Sequence, residues 1–315
     1  YLAWKECNKS GILEEEQETS LSETIIYNQR VEISGNVIEV SQYEESIIRG
    51  RGHLDREGEE DEPKEKVKRV RAPEEIAHDD YLNDLRSKHE FIQAVNSNFG
   101  MLPRGFRPGM KTVKALDLTW KKCITDLDEV HDTFEKFIDR LEYKLDEKVV
   151  YTVTWEYQKR GALHLHVMMY CSYVPKEWLL KNWSVENGQG SYEIKMIDWC
   201  YDLGNYQAKY MTKNMTEEHP DLKGRHKFWC SKGFTDQTKR HYVTHRDLTV
   251  FGRGKQGMSF EDFMDYFQGY IACNKKTGRL LAWQRSFWGA WTGKVDKLKI
   301  TLKPCPETAY LIECL

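Results

Sequence analysis

At 315 residues, the chain is long enough for one large or two modest folded units, and it has no run approaching the eighteen or so apolar residues of a membrane span. Lys and Arg number 47 against 50 Asp and Glu, a net charge of −3, so whole-chain charge does not mark a nucleic-acid binder. The eight cysteines form no Cys-x-x-Cys pair and no finger spacing, which excludes a zinc finger and fits reduced thiols in a cytoplasmic-type compartment better than a disulfide framework.

No secretory signal is visible. The first residue is Tyr1 rather than Met, which leaves the native start open. Thr24 to Val40 alternates between apolar and polar residues and predicts a hairpin around Ser34-Gly35-Asn36, within a β-rich N-terminal extension over residues 1–43. Residues 44–72 read as a charged linker: Glu44 to Glu65 holds nine acidic and four basic residues, and a basic run follows at Lys64, Lys66, Lys68, Arg69 and Arg71. A helical lead-in spans 73–110, with a helix from Pro73 to Phe99 and Ile76, Leu82, Leu85, Phe91 and Ile92 as inward positions.

The unit over 111–256 opens with a candidate strand, Ala115-Leu-Asp-Leu-Thr-Trp120. Leu127, Val130, Phe134, Phe137, Ile138, Leu141 and Leu145 then recur mostly three and four apart, predicting a long helix that Asp126 and Glu129 start in capping-box fashion. Val149 to Tyr157 and Leu163 to Tyr170 read as strands joined by a turn at Lys159-Arg160-Gly161. A helix over Tyr206 to Met215 follows. These elements predict an α+β fold, a central antiparallel sheet flanked by helices. From 257 to 315 a C-terminal accessory region contains a helix over Phe260 to Cys273, an aromatic stretch from Leu280 to Trp291, and a final edge strand over 298–302.

The chemistry concentrates in two places. Side chains alternate faces along a strand, so His164 and His166 share one face while Leu163, Leu165, Val167 and Met169 take the other. A hairpin centred near Arg160 sets Glu156 across from His164, so one carboxylate and two imidazoles converge as a divalent-metal site; the bland alternative is the polar side of a half-exposed strand. Downstream, Tyr206, Lys209, Tyr210 and Lys213 fall within one helical arc, with Ala208, Met211 and Met215 opposite. Two phenols between two ammonium groups read as a nucleophile face, since nearby cations favour the phenolate.

Glu156…His164-Leu-His166 followed by Tyr206-x-x-Lys209-Tyr210-x-x-Lys213 resembles the HUH endonucleases, the rolling-circle replication initiators of phages, viruses and plasmids and the related transposases. The paired tyrosines resemble the two-tyrosine branch with gene A-type replication proteins, and Ala115 to Trp120 resembles the family's first motif. The resemblance covers roughly residues 111–235 and implies metal-dependent nicking and joining of single-stranded DNA. Glu156, His164 and His166 would hold Mg²⁺ or Mn²⁺, with Zn²⁺ as an alternative occupant. Tyr206 or Tyr210 would attack to give a 5′-phosphotyrosine, and Lys209 and Lys213 would balance charge.

Residues 203–255 carry eleven Lys or Arg against five Asp or Glu, a stretch suited to a phosphate backbone. Lys227, Trp229 and Lys232 within it, and Lys159 and Arg160 in the hairpin turn, are the candidate DNA contacts. Phe228, Phe234 and Tyr242 join Trp229 as residues that could stack on bases; a core role stays open for each. Gly252 to Gly257 lacks a Walker A pattern, so no helicase is expected in this chain. The expected partners are single-stranded DNA at a replication origin, a separate helicase and a host polymerase, with no membrane; the oligomeric state is open. The alternatives are a rolling-circle transposase with the same chemistry and a catalytically inactive DNA-binding module.

Overall fold

The structure, a computed structural model, describes residues 25–49, 72–105, 107–185, 190–198, 200–216, 227–243, 282–288, 295–302 and 304. Two five-stranded antiparallel sheets carry the fold. The first contains β1 (Ile25–Ser34), β2 (Val37–Arg49), β8 (Lys239–Val243), β9 (Ala282–Trp288) and β10 (Val295–Leu302), in the order β8-β1-β2-β10-β9. The second contains β3 (Thr112–Thr119), β4 (Val150–Tyr157), β5 (Leu163–Cys171), β6 (Tyr192–Met196) and β7 (Phe228–Cys230), in the order β6-β3-β5-β4-β7. The helices are α1 (Pro73–Phe99), α2 (Leu127–Leu145), α3 (Lys176–Leu179, continuing as a π turn to Val185) and α4 (Leu203–Thr216). The expected α+β architecture is therefore the observed one.

Both faces of the second sheet are covered. On one, Leu116, Leu118, Val153, Trp155, Leu165 and Val167 pack against Val130, Phe134, Phe137, Ile138 and Leu141 of α2. Asp126 starts that helix by accepting from the Asp128 amide. On the other face, Val113, Ala115 and Met168 pack against Phe91, Ile92, Val95 and Phe99 of α1 and Leu203, Ala208 and Met211 of α4. The period-two pattern of β5 is thus divided between two cores, and the histidines share a side with α1 and α4.

The first sheet leans on α1 through the β1–β2 turn. Gly35 adopts φ +55°, and a Cβ there would lie 2.1 Å from the Asn96 carbonyl oxygen, so glycine permits the approach. Asn36 donates to the carbonyls of Tyr201 (2.8 Å) and Leu302 (2.7 Å), tying the turn both to β10 and to the lead-in of α4.

Several expectations are corrected. The final strand is not an edge: β10 lies between β2 and β9, because the N-terminal hairpin pairs with it across the length of the sequence. β2 runs on through Arg49, so the stretch from residue 44 begins as strand, where pairing with β1 overrides its charge. Ile76 is 39% exposed on the first turns of α1, which extend beyond the sheet that buries Phe91 and Ile92. β6 and α3 were not anticipated, and the expected Phe260–Cys273 helix lies outside the described residues.

Glu32 of β1 is buried at this junction. Arg30 lies 3.1 Å from its carboxylate, and Arg240 of β8 donates to it at 3.2 Å while also reaching Gln93 of α1 at 2.7 Å. Burial pushes the carboxyl up, but hydrogen bonding from His89 and Gln93 and the Arg30 charge outweigh it and hold the group at about 2. A carboxyl depressed in the folded state stabilises the fold fully above its unfolded value and loses that contribution as pH falls through the folded one. Urea unfolding is expected to weaken by roughly 3 kcal/mol between pH 5 and pH 2 from this group, and Glu32→Gln is expected to remove that part of the pH dependence.

Candidate active site

The register of three neighbouring strands assembles the site. Asp117 of β3 pairs with His166, and Glu156 of β4 pairs with His164, so all four side chains rise from one sheet face. The β4–β5 turn is tight: the Gln158 amide donates to the Ala162 carbonyl at 2.8 Å, and Gly161 takes φ +81°. Arg160 closes it by donating to Gln158 Oε1 (3.0 Å), to the Lys121 carbonyl (3.1 Å) and to the Trp120 carbonyl. With its oxygen taken by Arg160, the Gln158 side chain presents Nε2 to His164 Nδ1 at 3.2 Å.

His166 is held between two carboxylates, Nδ1 at 2.7 Å from Asp117 Oδ1 and Nε2 at 3.3 Å from Glu156 Oε1. The Nε2 atom is buried and makes no hydrogen bond of good geometry. An imidazole that donates Nδ1–H to a carboxylate presents its Nε2 lone pair, the usual posture of a metal-ligating histidine. Ligand atoms of Asp117, His164 and His166 lie within 4.8 Å of one another. Mixed nitrogen and oxygen donors at this spacing fit a divalent cation. The sequence reading missed Asp117 and placed Glu156 in its stead; the structure brings both carboxylates to the histidines. A lone Asp in the middle of an apolar strand was the signal available.

The helix carrying the tyrosines is fixed at its start and along its buried side. Asp202 is its N-cap, accepting from the Asn205 amide (3.1 Å). Its carboxylate also meets Asn96 Nδ2 of α1 (3.0 Å) and Lys299 Nζ of β10 (2.8 Å), while Asn96 Oδ1 accepts from the Gly204 amide (2.8 Å). One turn on, the buried Gln207 accepts from Thr152 Oγ1 (2.6 Å) and donates to the carbonyls of Thr152 (3.0 Å) and His166 (3.2 Å). Ala208 and Met211 pack inward as expected.

This anchoring sets the phenols at the rim of the helix–sheet contact. The Tyr210 ring stacks on His166, centroids 3.3 Å apart and planes 13° apart, and Tyr206 meets Tyr210 edge-on at 6.4 Å. Lys209 Nζ sits 4.2 Å from the Tyr206 centroid and 4.5 Å from that of Tyr210. The side chain of Lys213 lies outside the described residues.

The phenols are not ionised by their surroundings. Burial pushes Tyr206 up to about 12; its neighbour Tyr210 adds to the rise and Lys209 opposes it. Burial also raises Tyr210, and Asp117 adds to that, while a hydrogen bond from Tyr206 and the Lys195 charge pull the other way. The expectation that lysines dominate is therefore corrected: desolvation outweighs them. Burial likewise pushes Asp117 up, but His166 and Lys195 outweigh it and hold the carboxyl below its ordinary value. Lys195 of β6 lies 3.3 Å from Asp117 and 2.8 Å from Glu193.

The candidate DNA contacts are dispersed. Lys159 and Lys232 are exposed, Lys227 is paired with Asp84 of α1, and the Arg160 guanidinium is engaged by its own turn. Trp229 packs against Phe134 and His131 on the sheet face opposite the histidines. Phe228 and Phe234 pack on Phe91 and Phe99, and Tyr242 on Tyr27, because each sits where a helix or strand buries its ring.

Residues 114–215 match the model of a family described as replication-associated protein, of the ORF2 and gene-II-protein type. The matched segment runs from β3 to the end of α4 and contains Asp117, Glu156, both histidines and both tyrosines; it is under half of the chain. No curated protein and no solved structure gives a match. The family match supports a replication initiator. Among the described residues no helix is long and apolar enough to cross a membrane.

Gln207→Leu keeps the packing volume but strands the Thr152 hydroxyl and two buried carbonyl partners. It is expected to destabilise the protein by about 1–3 kcal/mol in urea unfolding.

Proposed function

We propose that this chain nicks and rejoins single-stranded DNA through a tyrosine ester, as an initiator of rolling-circle replication. The reading is carried by one observation: Tyr210 is stacked on His166, the imidazole that two carboxylates and a second histidine surround. A nucleophile and a cation-binding cluster thus meet on one sheet face, as a phosphoryl transfer needs.

Glu156, His164 and His166 would hold Mg²⁺ or Mn²⁺, with Asp117 either completing the set or orienting His166. A bound cation would draw charge from the scissile phosphate and fix it in line with the attacking oxygen. The chain's own groups do the rest. The Tyr210 oxygen bonds to phosphorus, the bond from phosphorus to the 3′ oxygen breaks, the phenol gives up its proton and the 3′ oxygen gains one. The products are a 5′-phosphotyrosine and a 3′-hydroxyl that a host polymerase can extend, with strands parted by a separate helicase. Tyr206 hydrogen-bonds to Tyr210 and favours its phenolate, which makes Tyr210 the first nucleophile and leaves Tyr206 for a later transfer. Lys209, within 4.5 Å of both rings, serves either phenolate, and Lys213, one helical turn further along α4, is assigned the same charge-balancing part.

The test is covalent-adduct formation on labelled single-stranded oligonucleotides with Mn²⁺. Tyr206→Phe is expected to retain a 5′-linked adduct, Tyr210→Phe to lose first-round cleavage, and the double variant to form none; adduct in the double variant would sink the assignment. His164→Ala and His166→Ala are expected to lower cleavage by about 100-fold or more while leaving oligonucleotide binding within about twofold, as removal of a cation ligand would. Unaltered cleavage in these variants excludes the cluster from the reaction.

A further inference from the structure

The open edge of the second sheet carries a groove that the site described above does not use. Its volume is about 460 Å³, within the range of small-ligand sites. It is lined by the 105–114 segment, the start of α3 and the edge strand β6. Tyr173, Met110 and Met196 line it at 62%, 49% and 49% exposure. Exposed aromatic and thioether surface of this kind is unusual on a soluble face without a ligand to cover it.

The charge of the groove has one sign. Arg107 and Lys176 line it and are exposed, and no acidic side chain is among the lining residues described. A flat apolar surface flanked by cations is the chemistry that receives an unpaired base with its phosphates. The groove is also continuous with the candidate active site. Lys195 lines it, and the same ammonium lies 3.3 Å from Asp117. Ala115, its partner across the ladder, is on the histidine face, whereas Ile194 and Met196 point to the other side, so the groove wraps the strand edge and opens towards the phenols.

We propose that this groove binds a nucleotide of the single-stranded DNA substrate flanking the scissile phosphate, its base against Tyr173 and its phosphates against Arg107 and Lys176. The inference rests on the nickase reading for the identity of the strand, and it assigns DNA contacts to residues quite different from the basic stretch after α4.

The experiment uses the full chain carrying Tyr206→Phe and Tyr210→Phe, so that DNA is bound but not cut. Fluorescence anisotropy with a mixed-sequence single-stranded oligonucleotide is measured over a range of salt concentrations. Tyr173→Ala is expected to weaken binding by about tenfold, the loss of one stacked base. Arg107→Gln with Lys176→Gln is expected to reduce the slope of log affinity against log salt by about 1.4, two single-strand phosphate contacts. An oligonucleotide with 5-iodouracil near the cleavage position is expected to photocross-link to Tyr173, read by peptide mass spectrometry. All three residues are exposed, and circular dichroism checks that each variant folds. Unchanged affinity and salt slope, or cross-links mapping only elsewhere, overturn the proposal. Restoring the tyrosines separates the two readings: normal binding effects without cleavage in the parent chain sink the nickase and keep the groove, whereas full cleavage by the groove variants with unchanged affinity does the reverse.

Discussion

The arrangement depends on how one helix is held against one sheet. An α-helix packed through Leu203, Ala208 and Met211 alone can slide or roll by fractions of a turn at little cost, because apolar contacts are non-directional. Gln207 removes that freedom. Its amide is buried among Thr152 and the His166 carbonyl, and leaving those polar groups unmet in the interior is costlier than any gain from a small roll. Because one of its partners is the backbone of His166 itself, the helix is indexed to the residue on which Tyr210 stacks. The N-cap Asp202 fixes the same helix along its axis, through Asn96 and Lys299.

The first sheet is what lets that N-cap work. Lys299 comes from β10, and Asn36, which holds the Tyr201 carbonyl, comes from the β1–β2 turn. Segments from opposite ends of the described chain therefore brace the start of the tyrosine helix. Glu32 ties the same sheet to α1 through Arg240 and Gln93. The first sheet thus acts on the candidate site at a distance, by stiffening the elements that position it, while contributing none of the groups that face it.

Electrostatics in the site balance burial against pairing. Both phenols are raised by desolvation, and the two lysines described near them are partly committed: Lys195 to Asp117 and Glu193, and Lys209 to the two rings it lies over. A protonated phenol is the resting state such a site dictates, which protects the nucleophile until a phosphate and a compensating charge arrive together. Asp117 is the hinge of this balance, since the same carboxylate accepts from His166 and pairs with Lys195.

Local pattern made much of this legible in advance. The α2 stripe from Leu127 to Leu145, the α1 span, the β1–β2 turn and the β4–β5 hairpin follow from periodicity and turn chemistry, and the hairpin's register alone set Glu156 across from His164. What pattern left hidden were relations between distant segments. Asp117 joins the cluster only because β3 pairs with β5 in one register, β10 is interior only because the N-terminal hairpin pairs with it, and Trp229 turns from the site only because β7 adds to β4 on that twist of the sheet. The residue order by itself determined which side chains carry the chemistry and which face of each element they occupy, since those follow from repeats of two and 3.6 residues. The tertiary structure decided which faces meet, because strand pairing and the burial of Gln207 are settled by the free energy of the whole packed chain rather than by any one segment.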